Sequence, residues 1–204
     1  MWLHQHVREQ YRSSRLRQFR QLADIAKTKG PTFAFAHIVC PHPPYAFDRA
    51  GILPKQRWTK TNAEYERVSY ADQLHYVNKL VMQTVDRILA DSSTPPIIIL
   101  QADHGPFTPE QLARGAGKIR IRYPDGKMRP DYRDRVPIFN AYYLPGDGRK
   151  ALYDKITPVN TFRVVLAKYF GADLKLLDDV SYVPDTWPSH LYTIDNFTKY
   201  APPD

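Results

Sequence analysis

Apolar positions recur at helical spacing in some stretches of this chain and run uninterrupted in others, and the alternation predicts its elements. Over residues 5–28, Val7, Tyr11, Phe19, Leu22 and Ala26 fall roughly on one helix face, with Arg8, Arg12, Arg15 and Arg20 spread around the rest. Gly30 and Pro31 end that helix. Residues 32–40 form a short apolar run that reads as a buried strand, halted by the cluster Pro41, His42, Pro43, Pro44, Tyr45. A loop follows to about residue 60, then the longest helical pattern, 61–91, carrying Leu74, Val77, Val81, Val85 and Ile88 at three- and four-residue steps. After Asp91–Pro96 breaks it, Ile97–Leu100 is continuous and mostly β-branched, as in a strand buried on both faces.

Helix followed by buried strand is the rhythm of an α/β protein with a mainly parallel sheet flanked by helices. Thr108, Pro109 and Gln111 read as the start of a short helix that ends at Gly115: Thr at the cap, Pro at the first helical position, Gln three residues on. Residues 116–135 are polar and basic, an expected surface excursion. Val136–Leu144 reads as a third strand, closed by Pro145 and Gly146. A last helix opens at Thr157-Pro158, with Val159, Phe162, Leu166 and Phe170 expected inward and Gly171 as its cap. Residues 172–204 show no clear period. With no internal repeat and no visible boundary, residues 1–204 read as one domain whose N-terminal helix lies within residues 1–29.

Composition changes this picture in a few ways. Apolar residues make up 43% and charged residues 25%, ordinary for a globular chain. No window approaches the roughly 18 consecutive apolar residues of a membrane helix, and the first residues lack the apolar core of a signal peptide. The single cysteine, Cys40, excludes an intrachain disulfide and a cysteine zinc cluster, and its apolar surroundings read as a small buried hydrophobe. The net charge of +8 favours anionic partners: phosphorylated substrates, nucleic acid or lipid headgroups. The arginines of the first helix could grip nucleic acid, but a solvated helix face is the favoured reading because no binding motif accompanies them.

Candidate chemistry gathers at strand ends, where open α/β sheets hold their ligands. Asp103 and His104 directly follow the 97–100 strand and supply the O and N donors that suit zinc, manganese or iron. Gly105 would permit the turn that lets both converge, and close backbone approach. The alternative is an Asp cap beside a satisfied histidine. His42, set among prolines, could serve as a metal ligand or as a donor to an anionic substrate. His37, within its strand, reads as a hydrogen-bonded core histidine, and Tyr45 as packing. No nucleophile elbow and no phosphate-cradling glycine loop is present, so no catalytic nucleophile is identified.

Four segments in order carry a resemblance. They are Phe33–Tyr45, the set Tyr70, Gln73, Tyr76 and Asn78, the run Ile97–Gly105, and Asn140–Gly146 followed by Ile156–Arg163. Together they resemble the C-terminal half of sulfatase-like hydrolases and transferases of the alkaline phosphatase superfamily, over about residues 30–182. The resemblance implies a partial alkaline-phosphatase-like sheet and a metal-dependent site for phosphate or sulfate esters. Asp103 and His104 would be metal ligands, for zinc or manganese ahead of magnesium or calcium, and His42 would contact the substrate's anionic group. The family's nucleophile and further acidic ligands belong to an N-terminal half that is not recognisable here. The formylglycine signature is absent, and Asp-His stands where arylsulfatases usually carry Asp-Asn, which leans toward phosphoryl chemistry. The chain by itself is therefore expected to be inactive, with a missing N-terminal half or a second copy as partner. The rivals are a non-catalytic anion-binding module and a nucleic-acid-binding protein. Family members are often membrane-anchored and extracytoplasmic; the sequence does not fix a location.

Overall fold

Contacts divide the chain into two units, residues 1–96 and 97–204, and each is described by itself. The computed structural model describes residues 2–54, 63–108, 111, 114, 118–123, 126–184 and 194–196. Helix α1 (Trp2–Asp24) runs into a 3-10 turn, Ile25–Lys27, and packs on α2 (Ala63–Asp91). The first two positions of the longest predicted helix, 61 and 62, lie outside the described residues.

The first unit's core joins Phe19 of α1, Val77 of α2, and Ala46 and Phe47 from the connecting loop. The helix ends are linked by Arg87 to Asp24 at 2.8 Å and Lys27 to Asp91 at 3.7 Å. These pairs are largely exposed and contribute little. The buried stripe of α2 is Glu66, Gln73, Val77 and Thr84, spaced seven, four and seven residues apart. The helical period was therefore legible, but three members of the stripe are polar. Each has a partner, as burial of polar groups requires. Glu66 accepts from the Tyr45 hydroxyl at 2.6 Å, and Thr84 Oγ1 donates to the Leu80 carbonyl at 2.8 Å. Burial, reinforced by Glu66, raises the Tyr45 hydroxyl's pKa and keeps it a donor.

Gln73 is fully buried and organises the loop. Its Oε1 accepts from the Ala46 and Phe47 amides at 2.6 and 3.2 Å, and its Nε2 donates to the Pro41 carbonyl at 2.9 Å. The Cys40-Pro41 and Pro43-Pro44 peptide bonds in this loop are cis. Burial pushes the Cys40 thiol up to about 11, against the opposing charge of Arg15, so it stays a neutral thiol packed against the core.

In the second unit, β1 (Ile98–Gln101) pairs antiparallel with β4 (Asn140–Tyr143), Ile98 opposite Tyr143 and Gln101 opposite Asn140. Between them β2 (Arg120–Arg122) and β3 (Met128–Pro130) form a hairpin. The α3 helix (Pro158–Phe170) follows a 3-10 turn, Gly148–Ala151. Then β5 (Tyr182–Pro184) pairs with β6 (Ile194–Asn196). Tyr123, Tyr132 and Val183 form a buried cluster.

Several expectations are corrected. The mixed α/β content is present, but every strand pair among the described residues is antiparallel and two-stranded, not a mainly parallel sheet. The reason lies within the excursion: β2 and β3 pair as a hairpin, with Tyr123, Pro130 and Tyr132 buried, and the chain returns along β1 without the crossover a parallel pair needs. Residues 32–40 form no strand, and Phe33 and Phe35 are 79% and 82% exposed. A run apolar on both faces becomes a buried strand only when neighbours cover it. β1 is half-buried, not buried on both faces. The α3 face expected inward is the exposed one: Val159, Phe162, Leu166 and Phe170 face out, while Asn160, Thr161, Val164 and Val165 are buried. Its predicted terminus holds. Gly171 sits at φ +67°, the left-handed cap, donating to the Leu166 carbonyl.

A carboxylate sets the orientation of α3. Asp179 accepts from the Thr157 amide and hydroxyl at 2.8 and 2.6 Å, from the Tyr153 hydroxyl at 2.5 Å, and from Asn160 at 3.1 Å. Asn160 in turn bonds the backbone of Leu177 in both directions, at 2.8 and 3.0 Å.

Two outcomes are expected. Gln73→Leu leaves the buried amides of residues 46 and 47 and the Pro41 carbonyl without partners, and should cost about 3 kcal/mol in urea unfolding. A loss below about 1 kcal/mol would contradict the role assigned to Gln73. For Asp179, burial raises the pKa, but the hydrogen bonds from Thr157, Tyr153 and Asn160 outweigh it and leave it lowered. A lowered folded pKa stabilises above the unfolded value, about 3.9, and that stability is lost as pH falls through the lower folded value. Asp179→Asn should therefore lower the melting temperature at neutral pH and flatten the acid limb below about pH 4. An unchanged acid limb would count against it.

Candidate metal and anion site

The Asp103-His104-Gly105 turn is built where the β1–β4 ladder runs out. Ala102 N–H donates to the Phe139 carbonyl at 2.9 Å, and Gly105 N–H to the Arg135 carbonyl at 2.8 Å. The two backbones close so tightly that a Cβ on Gly105 would lie 1.8 Å from the Asp134 carbonyl oxygen. Close approach is thus the reason for glycine, as read from the sequence.

This turn brings Asp103 and His104 together. Asp103 Oδ1 accepts from the His104 amide at 3.0 Å, and its Oδ2 lies 3.4 Å from His104 Nε2. The Asp103 side chain is 71% exposed and that of His104 39%. A third residue, which sequence reasoning missed, completes the group. Arg135 Nη1 lies 2.7 Å from His104 Nδ1 and donates to the Gly105 carbonyl at 2.9 Å. The guanidinium stacks 4.1 Å from the Phe107 ring centroid. Burial pushes the Arg135 pKa down, with Asp103's negative charge opposing. The signal that could have found Arg135 was its place just before the strand predicted to begin at Val136, the partner of β1.

Downstream, Thr108 and Gln111 form the reciprocal capping pair expected from their spacing. Thr108 N–H donates to Gln111 Oε1 at 2.8 Å and Gln111 N–H to Thr108 Oγ1 at 3.2 Å. Gln111 Nε2 also reaches the Asp131 carbonyl at 2.9 Å, tying the excursion to this turn. Most of the short helix expected after it, including Pro109 and Gly115, lies outside the described residues.

His42 belongs to the other unit. It is exposed on the loop held by Gln73, with Nδ1 against the Pro43 carbonyl. His37 is also exposed, which corrects its reading as a core histidine: the unpaired segment around it offers no interior. Tyr45 packs and bonds to Glu66, as packing predicted. Of the α1 arginines, Arg20 stays on an exposed face as expected, while Arg8, Arg12 and Arg15 are half-buried and engaged locally. Arg8 Nη2 donates to the Pro54 carbonyl at 2.6 Å, Arg12 Nε to the Gly51 carbonyl at 2.9 Å, and Arg15 stacks on Tyr11 at 4.3 Å.

A family model described as Sulfatase matches residues 7–163. The chain belongs to the sulfatase family. The match makes it a sulfatase-like member of the alkaline phosphatase superfamily, whose members are hydrolases and transferases acting on esters, generally with a divalent metal. A search of curated proteins and a search of solved structures each returned no match. No helix among the described residues is long and apolar enough to cross a membrane.

Asp103 and His104 fit a divalent cation in kind, offering a carboxylate and an imidazole. They fall short in number. Among the described residues no three His, Cys, Asp or Glu side chains group together, whereas a catalytic zinc site takes three protein ligands.

Gly105→Ala is expected to destabilise the second unit, since the blocking atom is backbone and cannot swing aside. The cost should be about 3 kcal/mol, read by urea unfolding, with faster amide exchange at Gly105 and Ala102. Unchanged exchange at both amides would contradict the close approach.

Proposed function

We propose that this chain is part of a metal-dependent phosphate- or sulfate-ester hydrolase or transferase. Asp103 and His104 supply two of the metal's ligands, His42 contacts the anionic group of the substrate, and turnover requires groups beyond the described residues. The observation that carries this reading is the Asp103-His104 turn, held at a strand end with its carboxylate facing solvent, in a chain of the sulfatase family. The family match crosses the boundary between residues 96 and 97, which supports reading both units as parts of one sulfatase-type domain.

A divalent cation held there, with zinc or manganese the better match to one O and one N donor, would polarise a non-bridging oxygen of the ester. The chain's own contribution is positioning. Asp103 places negative charge at the turn, His104 adds an imidazole beside it, and Gln73 fixes the loop that presents His42. Among the described residues no serine, threonine or cysteine is set beside a general base: Cys40 is a neutral, packed thiol, and Thr157 and Thr161 bond within the α3 network. Exposed Phe33 and Phe35 in the first unit, and exposed Phe139, Phe162, Phe170 and Leu176 in the second, each favour cover by a further polypeptide surface, from a complementary segment or a second copy.

Aryl phosphate and aryl sulfate hydrolysis, with zinc or manganese added, tests the proposal. The chain alone should show no turnover above buffer, yet bind manganese in a way that Asp103→Ala and His104→Ala each abolish. Robust turnover abolished by Asp103→Ala would overturn the need for further groups. Phosphate binding indifferent to metal and to both substitutions would instead mark a non-catalytic anion-binding module.

A further inference from the structure

Three atoms meet at the Asp103-His104 turn and cannot all be satisfied at once. His104 Nδ1, the Gly105 carbonyl oxygen and Arg135 Nη1 form a near-equilateral triangle: 2.9 Å from Nδ1 to the oxygen, 2.7 Å from Nδ1 to Nη1, and 2.9 Å from Nη1 to the oxygen. Arginine has donors and no acceptor, and the carbonyl only accepts. The Arg135 edge to Nδ1 is a hydrogen bond only when Nδ1 carries a lone pair. The Gly105 edge to Nδ1 is one only when Nδ1 carries the proton. One ring nitrogen therefore chooses between two partners that demand opposite tautomers of the neutral imidazole.

The shorter edge is the one to Arg135, and it is charge-assisted. A guanidinium between a lone pair and a carbonyl oxygen attracts both, whereas a guanidinium against an N–H faces donor to donor. The proton then sits on Nε2, the nitrogen 3.4 Å from Asp103 Oδ2. A histidine that binds a metal through Nε2 needs the reverse arrangement, with Nδ1–H donated to a carbonyl or carboxylate. The Gly105 carbonyl is in place for that second state.

We infer that Arg135 is a positioning residue that holds His104 in the Nε2–H tautomer, so that the Asp103-His104 pair takes a cation only when Arg135 releases Nδ1 to the Gly105 carbonyl. The inference rests on the reading of Asp103 and His104 as metal ligands. Arg135 is then the resident cation of the turn, and metal loading is a two-state exchange between an internal guanidinium and an external ion.

Long-range proton–nitrogen correlation spectra of the metal-free full chain, recorded at about pH 8.5 where imidazoles are neutral, read the tautomer directly. His104 is assigned by the loss of its signals in His104→Asn. Wild type and Arg135→Lys, which retains a cationic donor, should show Nε2–H. Arg135→Met, which keeps an unbranched side chain of similar reach but no donor, should show Nδ1–H. Zinc titration by calorimetry should then give about tenfold tighter binding to Arg135→Met than to wild type. A melting temperature for each variant establishes that it is folded, and Arg135→Lys carries the comparison if the methionine variant is not. In that case a lysine variant showing Nδ1–H overturns the inference and one showing Nε2–H upholds it. Unchanged Nε2–H in folded Arg135→Met, or zinc binding that weakens in that variant, overturns it. A tautomer that moves while neither protein takes zinc upholds the role of Arg135 and overturns the metal-ligand reading instead.

Discussion

The buried amide of Gln73 is the interaction on which the first unit depends, and it states the constraint that governs the whole chain. Backbone polar groups removed from water must be paired, and strand pairing covers few of them here. Side chains projecting from the helices and turns do the rest. Gln73 serves the loop over residues 41–47, Gln111 serves Thr108 and Asp131, and Asn160 serves Leu177 on both sides of its peptide group. All three are almost fully buried. An amide suits this work because it both donates and accepts without carrying a charge whose burial would need compensation.

That constraint explains what the sequence disclosed. Helices α1, α2 and α3 were legible because their period and their ends are local properties: Gly171 caps α3 where expected, and Thr108 with Gln111 closes the predicted capping pair. Which face of a helix turns inward was not legible wherever polar groups occupy the core. On α3 the apolar residues Val159, Phe162, Leu166 and Phe170 pointed to one face, yet Asn160 and Thr161 are the fully buried ones because Asp179, Tyr153 and Tyr142 await them. On α2 the same substitution of amide for hydrocarbon hid Gln73, although its position in the ordered set of segments was visible. Strand partners were least legible. The 32–40 run and Ile97–Leu100 both read as buried strands, but pairing depends on where the chain returns, and a hairpin over 120–130 returns it antiparallel.

The Asp103-His104 turn was legible for a different reason. Its chemistry needs two adjacent donors and a glycine, and all three are consecutive. Its third member could not be read that way, because Arg135 arrives from thirty-one residues downstream and only the β1–β4 register brings it there. The contact is as much a consequence of Gly105 as of Arg135: the missing side chain lets the 134–137 backbone close on the turn, and the guanidinium enters with it.

Arginine recurs in this role. Arg8, Arg12, Arg120, Arg122, Arg135 and Arg163 each donate to a backbone carbonyl, of Pro54, Gly51, Met128, Gly126, Gly105 and Lys175 respectively. A net charge of +8 reads at first as a signal about partners, yet many of the groups that carry it are internal donors. A hydrogen bond to a neutral carbonyl uses an N–H without neutralising the cation. The field that draws anions therefore survives, while the geometry of those arginines is already set by the fold. Charge and shape separate as a result: the arginines keep a long-range positive field, while the loop that carries His42 is held in place by a buried, uncharged amide.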